Sequence, residues 1–156
     1  MITVDLTWGE VFQAGVMALM RMTKDLQVGA KERYGAEGGN LDYDFNGCLG
    51  EIALAKWRNT FWSGSLGKYQ AIDVGDRWQV RCAGYMGGRL ILHPDDNDMH
   101  PFVLALAPHD KLPRVWLRGW IMAIDGKLEQ YWTDPGTGRP AFFVPQAVLL
   151  DMEDLV

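Results

Sequence analysis

The segment AIDVGDRWQVRC, residues 71–82, carries the alternation that decides the fold of the central part of the chain. Successive side chains of a β-strand point to opposite faces of a sheet. Gln79 and Arg81 therefore share one face of such a strand, and Val80 and Cys82 share the other. One polar face and one apolar face are typical of a half-buried strand, so a sheet with a one-sided core is predicted here.

The face on which Asp73 lies depends on the turn that precedes this strand. A two-residue turn would place Asp73 on the apolar face, whereas a three-residue loop, Val74-Gly75-Asp76, would pair it with Arg77 on the polar face. A buried carboxylate without a partner is costly, and the glycine can supply the left-handed geometry of a bulged loop. We therefore expect the three-residue loop, which brings Asp73 to the face of Gln79 and Arg81.

Two helices are predicted before this segment. Apolar residues at helical spacing predict one helix from Trp8 to Leu26, with Thr7 as N-cap and Glu10 completing a capping box. A glycine-rich, charged loop is expected at 31–40. The second helix is expected from Asp44 to Arg58, because its apolar positions also recur with the helical period: Phe45, Cys48, Leu49, Ile52 and Ala53.

Strands dominate after residue 70. Runs rich in Val, Ile, Leu and Trp, separated by turn residues, predict strands at 71–74, 77–83, 89–93, 101–107 and 113–118. Residues 119–125 fit either a further strand or a short helix. Two later runs, 131–132 and 141–144, flank a tight turn, and Pro145 is expected to open a terminal helix that reaches Leu155. The predicted fold is a single α+β domain, 1–156, with N-terminal helices packed on a mostly antiparallel mixed sheet and a short C-terminal helix.

The second helix contains a carboxylate between small neighbours. Glu51 lies at the edge of the apolar face, four residues after Gly47 and four before Ala55. A carboxylate in such an open groove is accessible to a ligand or to a sheet. A solvated glutamate at the boundary of the helix is the alternative, and this helix alone favours it.

Taken together, these residues resemble a known family of nucleases. The pattern Gly47-x-x-Gly50-Glu51, then Asp73, then Gln79-x-Arg81, on helix, strand and strand, resembles the restriction-endonuclease-like superfamily, PD-(D/E)XK. Small phage-type proteins of this class also show an RLIL strand after the motif and a GWI after a later strand, so the likeness spans residues 42–124.

The resemblance implies an αβββαβ core and a metal-dependent nuclease. Glu51, Asp73 and Gln79 would bind Mg²⁺ or Mn²⁺, and Arg81 would occupy the position of the family's lysine. Mg²⁺ prefers one or two carboxylates together with waters and phosphate oxygens, and it lowers the pKa of a bound water. The implied partner is nucleic acid, DNA rather than RNA, with a homodimer or a host protein as further partners.

Two positions depart from the family pattern. Gln79 replaces an acid, which keeps an oxygen ligand but weakens metal binding. Arg81 replaces lysine, so it can hold a phosphate bidentately but cannot give up a proton. Lys68 is a candidate for the missing ammonium. The alternative is therefore a catalytically inactive module of the same fold that binds nucleic acid or a host protein.

Composition places the chain among ordinary globular proteins. Hydrophobic residues make up 48% and charged residues 22%, with a net charge of −5. This charge argues against non-specific polyanion binding, although the middle third, 61–120, has 7 basic and 6 acidic residues and can carry a basic face. Two cysteines without metal-ligand spacing, and the lack of a leader or a long apolar run, favour a cytoplasmic protein without membrane attachment.

Three other groups are weaker candidates for function. The loop HPDDNDMH, 93–100, could supply metal ligands, but a solvated hairpin loop is favoured. Cys48 is expected in the core rather than as a nucleophile. Trp116, Arg118 and Trp120 could stack nucleic-acid bases, although a core role for the two tryptophans is favoured.

Overall fold

A computed structural model describes residues 1–28, 40–66, 71–136 and 138–156 of the chain. Two helices, α1 (Trp8–Gln27) and α2 (Leu41–Trp57), precede most of the strands. The capping box predicted for α1 is confirmed, because the Thr7 side chain accepts from the Glu10 backbone N–H while the Glu10 carboxylate accepts from Thr7. The helices pack on a mixed sheet, which confirms the predicted α+β class.

The described strands form two sheets rather than the one expected. They are β1 (Ile2–Asp5), β2 (Gln79–Ala83), β3 (Leu90–Leu92), β4 (Pro101–Leu106), β5 (Arg114–Met122), β6 (Trp132–Thr133) and β7 (Ala141–Val144). The main sheet has the order β1-β5-β4-β2, in which only the β2–β4 pair is parallel. The second sheet, β3-β7-β6, is antiparallel. The first strand, β1, was not predicted, because four residues ahead of a helix give little periodicity.

Each face of the main sheet is covered by a different layer. The face that bears Val80, Val103 and Leu117 packs against α2, and the opposite face, with Phe102 and Leu104, packs against the second sheet. Because β2 is an edge strand, its outer side is open to the loops around it. The candidate site lies at this edge.

A glycine allows α2 to approach the main sheet closely. A Cβ atom on Gly50 would lie 2.9 Å from Val80 Cγ1, 3.0 Å from Ala105 Cβ and 3.1 Å from Cys82 Cβ. No side chain fits there without a shift of the helix or the sheet. Gly50 thereby fixes the height of α2 above β2, and with it the position of the neighbouring Glu51.

A bulge in β5 separates the two tryptophans that were considered for base stacking. Leu104 lies opposite Gly119 while Ala105 lies opposite Leu117, so Arg118 is the extra residue. Trp116 consequently packs with the second-sheet core and Trp120 with the α2 core. Trp120 is buried in the core, which confirms the favoured interpretation for it, whereas Trp116 is half-buried and packs against the core from outside.

The predicted terminal helix is wrong. Residues 146–148 and 152–154 form only short 3-10 turns. Between them, Leu150 pairs with Trp120 through two backbone hydrogen bonds of 2.8 and 3.1 Å. The chain can lie this close because Gly119 has no side chain. A Cβ atom at this position would be 2.6 Å from the Leu150 carbonyl oxygen. Pairing with the bulged part of β5 replaces the helical hydrogen bonds.

Other boundaries also differ from the predictions. The predicted strand at 71–74 is reduced to a single bridge between Val74 and Trp78. HPDDNDMH is not a hairpin, because β3 and β4 belong to different sheets. Residues 119–122 extend β5, and 123–126 form a short helix, α3. The loop predicted at 31–40 lies outside the described residues except for Asn40, which caps α2.

Within the described part of the chain, no helix combines the length and the apolar character needed to cross a lipid bilayer.

Candidate active site

Three of the four predicted site residues line one cavity. The cavity, of about 530 Å³, lies between α1, α2, the segment at 71–73 and the edge strand β2. Glu51, Asp73 and Arg81 line it, and Gln79 is not among its lining residues. Cations and anions are mixed in its wall, since Arg21, Lys24, Asp25, Asp44 and His93 also contribute.

Asp73 is positioned by a three-residue loop. Val74 and Trp78 exchange two backbone hydrogen bonds, 3.1 and 3.2 Å, so the loop consists of Gly75, Asp76 and Arg77. Gly75 has φ +63°, the left-handed geometry expected for it. The odd length is confirmed, but the loop is one residue later than predicted. The predicted pairing of Asp73 with Arg77 is therefore wrong, because Arg77 lies within the loop.

The Asp73 carboxylate is fixed and electrostatically perturbed. Its Oδ2 accepts a hydrogen bond of 2.8 Å from the Val80 backbone N–H. Burial, followed by the negative charge of Glu51, raises the pKa of Asp73 from its ordinary value of 3.8 to about 7, although this hydrogen bond and the charges of Arg81 and Arg21 oppose the rise. Two carboxyl groups that repel each other in one cavity would both be stabilised by a bound cation.

Glu51 is buried and held by two partners. Arg21 donates to both carboxylate oxygens, at 2.8 Å from Nη1 to Oε1 and 2.9 Å from Nη2 to Oε2. The Trp62 indole N–H donates to Oε2 at 2.8 Å. With 5% of its surface exposed, Glu51 is not the solvated boundary residue that its helix alone favoured. A bidentate ion pair with Arg21 fixes its position in the cavity wall.

Arg21 is a site residue that no motif in the sequence marks. Burial opposes the charge of its guanidinium, but the hydrogen bonds and the charge of Glu51 outweigh this and raise the Arg21 pKa. A weak signal exists in the sequence, because Arg21 follows the buried Ala14 and Ala18 by seven and three residues. A cation on the inward face of a helix requires a buried anion as partner.

Gln79 serves the site from outside the cavity. Its side-chain amide donates to the Ala71 carbonyl oxygen at 3.0 Å, and the residue is buried. It shares a face of β2 with Arg81, on the side of Phe102 and Leu104, but of the two only Arg81 lines the cavity. The described contacts thus make Gln79 a support for the segment that carries Asp73.

Arg81 connects the cavity to the loop HPDDNDMH. Its Nη2 donates to Asp96 Oδ1 at 2.9 Å, and its guanidinium carbon lies 4.8 Å from the centre of the Phe102 ring. Asp96 is buried and also accepts from the His93 backbone N–H at 2.8 Å. Lys127 donates to Asp98 at 2.7 Å and to the backbone carbonyl of Asp96. The loop therefore supports Arg81 through the buried Asp96, while Pro94, Asn97, Asp98 and Met99 are exposed, as expected of a solvated loop.

His93 contributes a neutral ring to the cavity wall. Burial, followed by the positive charge of Arg81, lowers the pKa of His93, although Asp96 and Asp95 oppose the change. His109, in contrast, lies away from this cavity and interacts with Asn46 Oδ1 at 2.9 Å through its Nε2. Lys68, considered above as a substitute for the missing lysine, lies outside the described residues.

The cysteines are unsuited to nucleophilic chemistry. Burial raises the pKa of Cys48 to about 12 and that of Cys82 to about 12. Cys48 is fully buried between α2 and the main sheet, as expected for a core residue. A thiol that stays protonated at neutral pH is a poor nucleophile.

The cavity offers a magnesium ion two carboxylates, so waters and phosphate oxygens would have to supply its other ligands. Asp73 and Glu51 provide the one or two carboxylates that Mg²⁺ uses, with room for waters and phosphate oxygens. Among the described residues, no group of three or more His, Cys, Asp or Glu side chains is arranged to hold a metal. The three hydrogen bonds to Glu51 leave roughly one of its four lone-pair positions available. Asp73 would be the main ligand.

A second cavity adjoins the first across Arg81. It has a volume of about 570 Å³ and shares Tyr43, Arg81 and Cys82 with the first cavity. Among the described residues that line it are two arginines, Arg81 and Arg89, and three aromatic residues, Tyr43, Tyr85 and Phe143. None of these described lining residues is acidic. Cations and aromatic rings without acids are typical of surfaces that bind nucleic-acid strands.

Comparison of the chain with protein-family models, with curated proteins and with solved structures gives no match. The likeness to restriction-endonuclease-like proteins therefore rests on the residues described above.

Proposed function

We propose that the protein is a metal-dependent nuclease of the restriction-endonuclease-like type that hydrolyses phosphodiester bonds in DNA. The observation that carries this proposal is the shared cavity of Asp73, Glu51 and Arg81, in which the Asp73 pKa is raised to about 7. Mutual repulsion of two carboxyl groups is relieved when a cation binds between them. Mg²⁺ or Mn²⁺ would supply Lewis-acid activation of the phosphate and of a bound water.

The residues of the chain divide the remaining tasks. Asp73, oriented by the Val80 N–H, would hold the cation, and Glu51 would add fixed negative charge. Arg81 would donate to a phosphate oxygen and stabilise the charge that develops there. It cannot serve as a general base, because a guanidinium keeps its proton at neutral pH. Gln79 would act indirectly, by holding the backbone that carries Asp73.

The second cavity supports a nucleic-acid strand as substrate. A strand whose phosphate lies against Arg81 can continue into the second cavity, where Arg89 and Tyr85 are exposed. The absence of acidic residues among those lining the second cavity is notable for a chain with net charge −5. Stacking of a base on a tyrosine contributes about 1–3 kcal/mol to binding and does not depend on sequence.

A catalytically inactive binding module is the second candidate. The observation that favours it is the ion pair with Arg21, which occupies both oxygens of Glu51. If this pair persists with substrate bound, Asp73 is left as the single available carboxylate of the predicted set. Such a protein would bind DNA through Arg81, Arg89 and Tyr85 without cleaving it.

Incubation with labelled single-stranded, duplex and branched DNA in Mg²⁺ or Mn²⁺ separates these functions. A nuclease should cleave at least one substrate, and Asp73→Asn should lower the rate at least 100-fold, about 2.7 kcal/mol in activation free energy. Asp76→Asn is the matched control, since Asp76 is an exposed carboxylate in the adjacent loop. It should leave the rate unchanged.

Binding is measured on the same substrates in EDTA. Tyr85→Ala and Arg89→Ala should each weaken binding several-fold under both candidate functions. Binding without cleavage would favour the inactive module. Cleavage that persists in Asp73→Asn would contradict the proposed site. A wild type that neither cleaves nor binds any of these substrates would contradict both functions.

A further inference from the structure

Helix α1 carries a large apolar surface that no described residue covers. Six of its side chains form what we call the apolar stripe: Trp8, Phe12, Val16, Leu19, Met20 and Leu26. Their exposed fractions range from 42% to 73%. The side of α1 that packs on α2 is instead lined by smaller residues, Val11, Ala14 and Ala18. The largest apolar groups of the helix thus point away from the core.

The stripe is continuous and free of charge. At 100° per residue, its six members fall within an arc of about 120°. The four charged residues of α1 all lie outside this arc: Glu10, Arg21, Lys24 and Asp25. Glu10 and Arg21 are paired with Lys56 and Glu51, respectively. A charge-free apolar face on one helix, with the charges turned to the other side, is typical of a helix that packs against another protein surface.

The spacing within the stripe matches a two-helix seam. Phe12, Leu19 and Leu26 recur every seven residues, and Val16 and Thr23 occupy the alternate seam positions. Leucine at one seam position with a β-branched residue at the other favours pairs of helices over larger bundles. A seam with this pattern is complementary to a second copy of itself.

The size of the stripe is sufficient for a stable dimer. With full side-chain areas on the order of 150–250 Å², its exposed fractions correspond to roughly 600–700 Å² of apolar surface on each copy. Complete coverage of both stripes would bury at most roughly 1,200–1,400 Å² in total, so an interface above the threshold of about 1,000 Å² needs most of the stripe to be covered. Single patches of this size are unusual on monomeric proteins.

We infer that the apolar stripe of α1 binds the stripe of a second copy of this chain and forms a symmetric dimer. A symmetric pair places each stripe against an identical one, so no charge complementarity is needed. A membrane surface fits less well, because lipid-binding helices carry a basic polar face and α1 has two acidic and two basic residues. The interface is independent of the nuclease proposal.

Sedimentation velocity from about 1 to 200 µM tests this inference. The wild type should sediment at twice the chain mass of 17.6 kDa, and Phe12→Glu and Leu19→Glu should each sediment as monomers with unchanged circular dichroism. Both side chains are exposed, so their replacement leaves the core intact. Ile124→Glu, an exposed apolar residue outside α1, is the matched control and should remain a dimer.

A mixing experiment distinguishes self-association from other occupants of the stripe. Leu19 lies near the middle of the stripe, so Leu19→Glu and Leu19→Lys should each be monomeric alone and should form a dimer when mixed. A wild type that is monomeric up to about 200 µM, or one that binds lipid vesicles as a monomer, would overturn the inference. A dimer that survives both α1 substitutions would also overturn it.

Discussion

At the scale of single residues, the cavity is defined by carboxylates in different electrostatic states. Glu51 is neutralised by Arg21, whereas Asp73 has a backbone donor and more distant arginines as its opposing influences. Burial and the charge of Glu51 outweigh these opposing influences and raise the Asp73 pKa. The Asp73 carboxyl group can therefore change its charge near neutral pH.

The raised pKa of Asp73 predicts a specific dependence of stability on pH in the metal-free protein. Since its folded pKa of about 7 exceeds its ordinary value of 3.8, the folded state binds more protons than the unfolded state between these values. This contribution is fully present below the ordinary pKa and is lost as pH rises through about 7. Its slope reaches at most about 1.4 kcal/mol per pH unit.

Asp73→Asn should remove this slope and raise the free energy of unfolding above pH 7 relative to the wild type. Urea denaturation in EDTA at intervals from pH 4.5 to 8 measures both quantities. The lowered pKa of His93 contributes a slope of opposite sign to both proteins. The difference between the two curves therefore isolates Asp73, and parallel curves would contradict the assignment.

The ion pair between Arg21 and Glu51 predicts strong coupling between the two residues. Arg21→Gln would leave the Glu51 carboxylate buried with Trp62 as its remaining described donor, and we expect a loss of about 3 kcal/mol in the free energy of unfolding. Glu51→Gln in the same chain should restore much of this loss in the free energy of unfolding, because position 51 then carries no buried charge. Equilibrium denaturation of both single variants and the double variant measures the coupling, and additive losses would show that the pair is not energetically linked.

At the scale of secondary structure elements, the site depends on how closely α2 lies to β2. Glu51 follows Gly50 directly, and Gly50 is in contact with Val80, Cys82 and Ala105 of the main sheet. The Val80 N–H in turn holds Asp73. The distance between α2 and the sheet thus sets the positions of both carboxylates.

Gly50→Ala should destabilise the protein by about 1–3 kcal/mol, because the added methyl group meets three atoms at 3.1 Å or less. Gly15→Ala, in α1, is the control, since its Cβ would lie 3.9 Å from the Phe45 ring of α2. Removing a glycine from a helix there should stabilise by up to about 1 kcal/mol. Thermal or chemical denaturation measures both, and equal effects would contradict the close packing of α2.

At the scale of the whole molecule, α2 and the second sheet cover the two faces of the main sheet. Cys48 and Cys82 lie where α2 meets that sheet, and burial raises the pKa of each to about 12. Both thiols therefore stay largely protonated at pH 8. Reaction of Cys48 also requires that α2 separate from the sheet, whereas Cys82 is half-buried and lines both cavities, so its raised pKa is its main protection.

Both cysteines should therefore resist alkylation in the native protein at pH 8. Iodoacetamide labelling, followed by mass spectrometry, should show slow modification in buffer and rapid modification of both residues in concentrated guanidinium chloride. Fast native labelling of Cys82, which lines both cavities, would show that the edge of β2 opens independently of the core.

The sequence alone determined the elements whose signals are local. The capping box of Thr7 and Glu10, the helices α1 and α2 and the strand β2 depend on neighbours a few residues apart, and these elements are confirmed. The one-sided core predicted for the sheet is wrong, because the second sheet covers the face that bears Gln79 and Arg81. The odd-length loop at Gly75 is also local, because strand alternation and the cost of an unpaired carboxylate restrict it.

Only the tertiary structure decided the features that depend on distant parts of the chain. The prediction of a terminal helix was wrong because Leu150 pairs with Trp120, a partner thirty residues earlier. Arg21 reaches Glu51 only because α1 and α2 pack together. Gln79 shares a face of β2 with Arg81, but its side-chain amide is bonded to the Ala71 carbonyl and only Arg81 lines the cavity. Local periodicity fixes which side of an element is apolar, whereas the packing of layers decides which polar groups meet. The charge state of a site follows from that packing.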